Sequence, residues 1–273
     1  MAKYLLMYCW GPLQSWGGIA VGESRGSQFA PTKSAVIGMI SAALGMRRQR
    51  ANEAVFRGLS SSIQLGIRVD SRGTRLVDYH TSQVPELRRG DTPRSRRDEL
   101  ITLPKDGATL HTILSTRDYS QDAAYLLALG SRNQELCCEA LDRCGRPIFE
   151  PGGKVDLSTL SQALAEPSFA LSLGRKSCTF GLPLAPQIVE AANMRQAVDE
   201  FDLARYRDFL TPPAELQRPV LPKVGSQVDF LWEGDPSICT ISKEFIRRDE
   251  IENRERWQFQ TRREFLGTVA VQS

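Results

Sequence analysis

The 273-residue sequence lacks several features that would place it in a common class of protein. No apolar run approaches the roughly 20 residues that a membrane-spanning helix needs. The apolar stretch near the start is short and ends at Gly11-Pro12, so it does not resemble a signal peptide. We therefore expect a cytoplasmic protein that does not associate with a membrane.

Cysteine clusters with metal-site spacing are also missing. The sequence contains six cysteines, which are Cys9, Cys137, Cys138, Cys144, Cys178 and Cys239. Without a secretory signal, we interpret them as reduced thiols rather than as a disulfide framework. Cys137, Cys138 and Cys144 lack the paired C-x2-C spacing of a structural zinc site. No metal or other cofactor is expected.

Motifs of the common enzyme classes are absent as well. There is no Walker P-loop, no G-x-S-x-G and no H-E-x-x-H. The two histidines, His80 and His111, fall at the ends of predicted strands, where they could meet across a sheet as acid and base for RNA cleavage. A hydrogen-bonded structural histidine is the more common case. The sequence therefore favours binding over catalysis.

Positive charge is concentrated in the first third of the chain. Residues 1–97 contain 15 lysines and arginines against 6 acidic residues, whereas residues 98–273 contain 20 against 26. A basic segment indicates a surface that faces a polyanion, and the acidic remainder indicates solvated faces or contacts with basic partners.

Hydrophobic periodicity predicts a mixture of strands and helices. Both faces of residues 3–10 are apolar, as in a central strand. We predict further strands at 62–70, 74–81, 110–119 and 123–129, and helices at 33–46, 51–59, 156–167 and 194–209. Strand-like segments follow at 227–232, 238–241 and 256–261, and a charged segment separates the last two. This order fits an α+β domain of the ferredoxin-like or RNA-recognition-motif-like type.

The predicted core covers residues 1–185 and is interrupted twice. A polar, arginine-rich interruption at about 81–110 is interpreted as a long protruding hairpin or loop, and 131–153 as an insertion of helix and turn. Residues 186–273 form a C-terminal extension, for which a lid, a partner-binding segment and additional sheet strands all remain open.

Three basic segments are candidate anion sites. Thr32, Lys33 and Ser34 begin a helix whose free amides could bind a phosphate of RNA or of a small substrate, although Thr32 could simply cap the helix and Lys33 be solvated. Arg175, Lys176 and Ser177 form a glycine-led turn suited to a phosphate or a ribose hydroxyl. The arginine-rich interruption could hold a nucleic-acid backbone with Arg88, Arg89, Arg94, Arg96 and Arg97.

Four motifs occur in an order that resembles the CasD-type subunit of the type I CRISPR Cascade complex, especially subtype I-E, within the RAMP superfamily. They are "GPLQSWG" after the first strand, "PTKSAVIGMISAALG" on the first helix, "DYHT" at a strand end, and "LGRKSC" followed by "GLPL". The similarity extends through most of residues 1–185.

This resemblance implies a palm domain with a β-hairpin thumb that caps the 5′ handle of the CRISPR guide RNA (crRNA). It implies a non-catalytic subunit that contacts the backbone subunit and the large subunit of Cascade, and reaches target DNA only through the complex. A repeat-specific endoribonuclease is the alternative. The motifs that match the family add Gln14, Trp16 and Arg25 to the expected RNA-binding residues. We assign Trp10 to the core and expect Gln14 and Trp16 in an exposed loop that meets RNA.

Overall fold

The computed structural model describes residues 1–18, 20, 22–47, 49–85, 90, 92, 95–101, 110–132, 136–137, 154–204, 206 and 221–272. The helices are α1 (Lys33–Ala43), α2 (Glu53–Ser62), α3 (Arg96–Ile101), α4 (Leu157–Ala165) and α5 (Met194–Asp199), with short 3-10 turns at Arg50–Asn52 and Pro236–Ile238. The strands are β1 (Ala2–Trp10), β2 (Leu13–Gln14), β3 (Trp16–Gly17), β4 (Ser24–Arg25), β5 (Ser27–Gln28), β6 (Ile63–Ser71), β7 (Thr74–Pro85), β8 (Leu110–Gln121), β9 (Ala124–Ser131), β10 (Leu136–Cys137), β11 (Lys154–Val155), β12 (Gln187–Ala191), β13 (Gln227–Trp232), β14 (Ile241–Asn253) and β15 (Gln258–Ala270).

A seven-stranded antiparallel sheet organises the chain, in the order β12-β1-β9-β6-β13-β15-β14. Strand β1 is buried on both faces, as the sequence predicted. Leu5 and Met7 pack with the buried residues of α1, α2 and α4, whereas Leu6 and Tyr8 pack with those of α5 on the other side. The protein is therefore a mixed α and β structure in which strands predominate and helices cover both faces of the sheet.

A second, smaller sheet contains a long hairpin. β7 pairs with β8 from Thr74 opposite Gln121 to Pro85 opposite Leu110, so the strands predicted on the two sides of the arginine-rich interruption are neighbours in a sheet. β8 also pairs with β2 and β4, so the base of the hairpin is joined to the loop that follows β1. Most of the residues between the two strands, and most of the 131–153 insertion, lie outside the described residues.

The C-terminal residues complete the main sheet. β12, β13, β14 and β15 all belong to it, so of the roles left open for residues 186–273, the structure shows additional sheet strands. The expectation that a charged segment separates two strands there is wrong, because the charged residues themselves form the edge strand β14. One face of β14 buries Asp249 and Ile251, and a charged side chain is tolerated there because Arg262 of β15 neutralises it.

Helix α5 is shorter than predicted, because it ends at Asp199 and residues 201–203 are not helical. The end of the predicted helix, residues 207–209, lies outside the described residues. None of the helices in the described part of the chain is long and apolar enough to cross a bilayer.

Candidate functional site

A cleft of about 1680 Å³ lies on the face of the sheet that α1 covers. It is lined by the exposed side of α1, by residues 169–179 with their basic turn, by the hairpin of β14 and β15, and by a few residues of the loop that follows β1. In the described part of the chain, six basic side chains line it, namely Arg47, Arg175, Lys176, Arg247, Arg248 and Arg254, and of these Arg247 is paired with Glu264. Among the described residues Asp249 is the one carboxylate in the lining, and it is already paired with Arg262. The cleft therefore presents net positive charge.

The floor of the cleft is one face of α1. Thr32, Ala35, Gly38, Met39 and Ala42 line the cleft at helical spacing. Most of these side chains are small, so a ligand can approach the helix backbone closely. Glycine in the middle of a helix costs about 0.5–1 kcal/mol relative to alanine. Packing does not require it here, because a Cβ at Gly38 would meet no other atom within 4 Å.

The start of α1 differs from the expected anion site. Thr32 caps the helix by accepting a hydrogen bond from the Ala35 amide at 3.3 Å, and its hydroxyl lies 3.3 Å from that of Ser34. The amide of Lys33 donates to the carboxylate of Asp249 at 2.8 Å. A carboxylate of the protein itself therefore satisfies the helix start, and only Thr32 and Ser34 of the three predicted residues face the cleft.

The side chain of Lys33 is 0% exposed, so the expectation that it binds RNA directly is wrong. Its ammonium lies 2.9 Å from Glu233, which also pairs with Arg132 at 2.6 Å and Arg262 at 3.3 Å. Arg262 continues the network to Asp249 and Glu264. These pairs tie the start of α1 to β13, β14 and β15, so they hold the floor and one wall of the cleft together.

Burial shifts the pKa values of Glu233 and Lys33 in opposite directions. It raises the pKa of Glu233, an effect that the charges of Lys33 and Arg262 oppose. It lowers the pKa of Lys33, and Glu233 opposes that shift. Burial thus sets the direction of both pKa shifts, and the opposite charges of the partners limit their size.

The basic turn is fixed against the loop that follows β1. Gly174 has a φ of +93°, and a Cβ there would lie 1.8 Å from the carbonyl oxygen of Ser15, so only glycine fits. Arg175 donates to the carbonyl of Arg25 at 3.0 Å, and its guanidinium lies 4.7 Å from the centre of the Tyr119 ring. Lys176 is exposed in the cleft, and Ser177 is exposed beside it without lining the cleft.

Gln14 and Trp16 do not lie in an exposed loop, and that expectation is wrong. Trp16 is 1% exposed, packs edge-on against Tyr125 and donates its indole N–H to Gln14 at 3.0 Å. Gln14 in turn donates to the carbonyl of Ala123. The pair anchors the loop to β9, and no part of either side chain is available for direct contact with RNA. Arg25 is exposed and touches the cleft only through the bond from Arg175.

The two histidines do not meet across the hairpin. His80 lies opposite Ser115 and His111 opposite Val84, so they share one face but are four residues apart along the strands. That separation is about 13 Å, which is too far for one acid–base pair. Arg96 and Arg97 are exposed at the start of α3, whereas Arg88, Arg89 and Arg94 lie outside the described residues.

The wall of the cleft that β14 and β15 form was missed by sequence reasoning. Arg247 and Arg248 come from β14, Arg254 and Trp257 from the turn that follows it, and Phe259 from β15. The guanidinium of Arg254 lies 4.6 Å from the centre of the Trp257 ring. The run "RRDEIENRERWQF" carried a signal, since basic residues interleave with aromatic ones, but nothing in the linear order places it beside residue 32 or residue 175.

The fold and the cleft define a strand-rich α and β protein with a basic groove suited to a polyanion. Comparison with known proteins adds the family. A family model described as CRISPR-associated protein (Cas_Cas5) matches residues 4–263. The CRISPR system Cascade subunit CasD of Escherichia coli (strain K12) is 26% identical over 202 residues, which are 74% of this chain and 78% of that protein.

Two solved structures share the fold. A chain of a "CRISPR RNA-guided surveillance complex" superposes with a TM-score of 0.61 at 22% identity, covering 98% of this chain and 90% of that one. A "Crystal structure of Cas protein" superposes with a TM-score of 0.51 at 21% identity, covering 98% and 95%. The chain belongs to the CRISPR-associated Cas5 family, as the four sequence motifs predicted.

Proposed function

We propose that this chain is a non-catalytic, crRNA-binding subunit of a Cascade-type surveillance complex and that its cleft holds the 5′ handle of the guide RNA. The observation that carries the proposal is the charge of the cleft. Six basic side chains line it, and the one carboxylate among its described lining residues is neutralised from behind. Family membership and the similarity to the Cascade subunit CasD support the same assignment.

The chemistry of the cleft suits single-stranded RNA. Arg175, Lys176 and Arg248 can contact phosphates, which position a nucleic acid without reading its sequence. Thr32 and Ser34 offer hydroxyl groups on the floor, where a ribose 2′-hydroxyl could exchange hydrogen bonds with them. Because α1 is lined by small residues, a backbone can lie directly on it.

The remaining parts of the molecule fit a subunit of an assembly. In this proposal the main sheet and its helices form the ferredoxin-like or RNA-recognition-motif-like palm, and the β7–β8 hairpin is the thumb. The hairpin exposes apolar side chains, including Tyr79 and Leu114, as expected for a surface covered by a neighbouring protein. We assign its partners as the backbone subunit and the large subunit of Cascade, with target DNA reached only through the complex.

The test is charge reversal at the basic turn. In the double variant Arg175→Glu/Lys176→Glu, the affinity of the purified chain for fluorescein-labelled RNA carrying the handle should fall by at least about tenfold, because two charge-assisted contacts are lost. The slope of log K against log salt should flatten by about 0.7 for each phosphate contact removed. Fluorescence anisotropy over a salt titration measures both quantities.

The matched control reverses two exposed lysines that do not line the cleft, in the variant Lys3→Glu/Lys223→Glu. It changes the net charge equally, so it should reduce affinity only slightly. Equal losses in the two double variants would show that net charge, rather than the cleft, attracts the RNA and would contradict the proposed site.

A further inference from the structure

One tryptophan is exposed in the cleft while two others are buried. Trp257 is 59% exposed, in contrast to 1% for Trp16 and 0% for Trp232. It lies in the turn between β14 and β15, at the rim of the cleft. Tryptophan is strongly buried on average, and large exposed aromatic groups are enriched where proteins bind partners.

The backbone at this position does not favour a large side chain. Trp257 has a φ of +55°, the left-handed region that costs a residue with a Cβ about 1–2 kcal/mol. The turn is held by other groups: the carboxylate of Glu53 accepts from the amides of Arg254 and Glu255, and Asn253 accepts from the amide of Arg256 at 2.8 Å. Side chains of Glu53 and Asn253 thus bind the backbone of the turn, and glycine or asparagine at position 257 would be less strained.

Neighbouring side chains orient the ring. The guanidinium of Arg254 lies 4.6 Å from the centre of the Trp257 ring and 5.8 Å from that of Phe259, an arrangement in which cation–π attraction fixes the plane of the indole. Arg248 donates to the carbonyl of Phe259 at 3.2 Å, which keeps a second positive charge at the start of β15, in the lining of the same cleft. An oriented aromatic face next to phosphate-binding groups is the arrangement that proteins use to stack unpaired bases.

We propose that Trp257 stacks on one unpaired nucleobase of the RNA held in the cleft, with Arg254 supporting the indole. This inference rests on the proposed function, because it requires that RNA lies in the cleft. The ligand is a single-stranded nucleotide of any base identity, since every base has a face that can stack and the bases of a duplex are already stacked on one another.

An abasic scan tests the stacking directly. The probe is a set of fluorescein-labelled, single-stranded RNAs of one mixed sequence that carry the handle, each lacking the base at one position. With the unaltered full-length chain, removal of one particular base should weaken binding about 5- to 150-fold, the equivalent of one stacked base. With Trp257→Gly, the intact RNA should bind more weakly by a similar factor, and that position should no longer be sensitive.

We choose Trp257→Gly because this variant should remain folded. Trp257→Gly removes the indole and relieves the left-handed backbone, so the variant should melt at the same temperature as the unaltered chain or higher. Trp257→Phe keeps an aromatic face and should retain part of the sensitivity to the abasic position. Rescue by phenylalanine distinguishes stacking from a general disturbance of the turn.

The outcomes separate the two proposals. If Arg175→Glu/Lys176→Glu weakens binding but the abasic profile is the same with and without the indole, RNA lies in the cleft and the stacking inference is wrong. Unchanged RNA affinity in Trp257→Gly would also overturn it. If the unaltered chain binds none of the RNAs, both proposals fail.

Discussion

The same residue types serve opposite purposes beneath the cleft and within it. Lys33 is enclosed by carboxylates and holds α1 to the sheet, whereas Lys176 is exposed in the cleft. Trp16 is enclosed beside Tyr125, whereas Trp257 stands at the cleft rim. A basic or aromatic residue in a family motif can therefore support ligand binding indirectly, because it fixes the element whose other side chains contact the ligand.

The largest effect should come from removing the buried lysine. Lys33→Met should lower the free energy of unfolding by about 3–5 kcal/mol, because Glu233 stays buried with less compensating charge. Lys176→Met, the exposed counterpart, should change it by no more than about 0.5 kcal/mol. Urea unfolding followed by circular dichroism measures both. Equal losses of stability in the two variants would contradict the distinction between the buried Lys33 and the exposed Lys176.

The loss in Lys33→Met should also depend on pH. The folded-state pKa of Glu233 is raised, so its contribution to stability is complete below its unfolded pKa and declines as the pH rises through the folded value. Without Lys33 that pKa should rise further. The stability deficit of Lys33→Met should therefore be larger at about pH 7 than at about pH 5. Adding Glu233→Gln should recover part of the deficit and remove its pH dependence.

Trp16 and Trp257 allow the same comparison for aromatic side chains. Trp16→Ala should destabilise the fold by about 3–5 kcal/mol, since it leaves a large cavity and removes the donor to Gln14. Trp257→Gly should not destabilise the fold, yet it should weaken RNA binding. Thermal denaturation together with anisotropy gives both quantities for each variant. A folded Trp16→Ala variant with unaltered stability but reduced RNA binding would contradict the assignment of Trp16 to the core.

The smallest expected effect is at Gly38 on the cleft floor. Gly38→Ala should stabilise the protein by about 0.5–1 kcal/mol, because a methyl group there meets open space and alanine favours the helix. The same methyl group should weaken RNA binding a few-fold if a nucleotide rests on α1. Gly58 in α2 does not line the cleft, so Gly58→Ala is the comparison variant and should leave the RNA affinity unchanged. Increased stability with unchanged RNA affinity would place the RNA away from the floor.

Much of the fold could be predicted from local patterns. The apolar faces of β1, the Thr32 cap of α1 and the two strands of the long hairpin depend on residues close together in the chain, and each was predicted. Strand β14 was not, because its charged residues read as a solvent-exposed segment. Their inward side chains are stabilised by Arg262 on the next strand, and pairing of that kind is not visible in a linear pattern.

The candidate site divides in the same way. Thr32, Ser34, Arg175 and Lys176 were predicted and do line the cleft, whereas Gln14, Trp16 and Lys33 were predicted and are buried. Composition and motif order by themselves determined the family, the concentration of basic residues and the absence of a long apolar segment. The tertiary structure, in contrast, places some charged side chains in the cleft and pairs others with one another in the interior. This division depends on burial and on partners distant in the chain, such as Glu233, which lies 200 residues from Lys33, and no local pattern encodes such pairs.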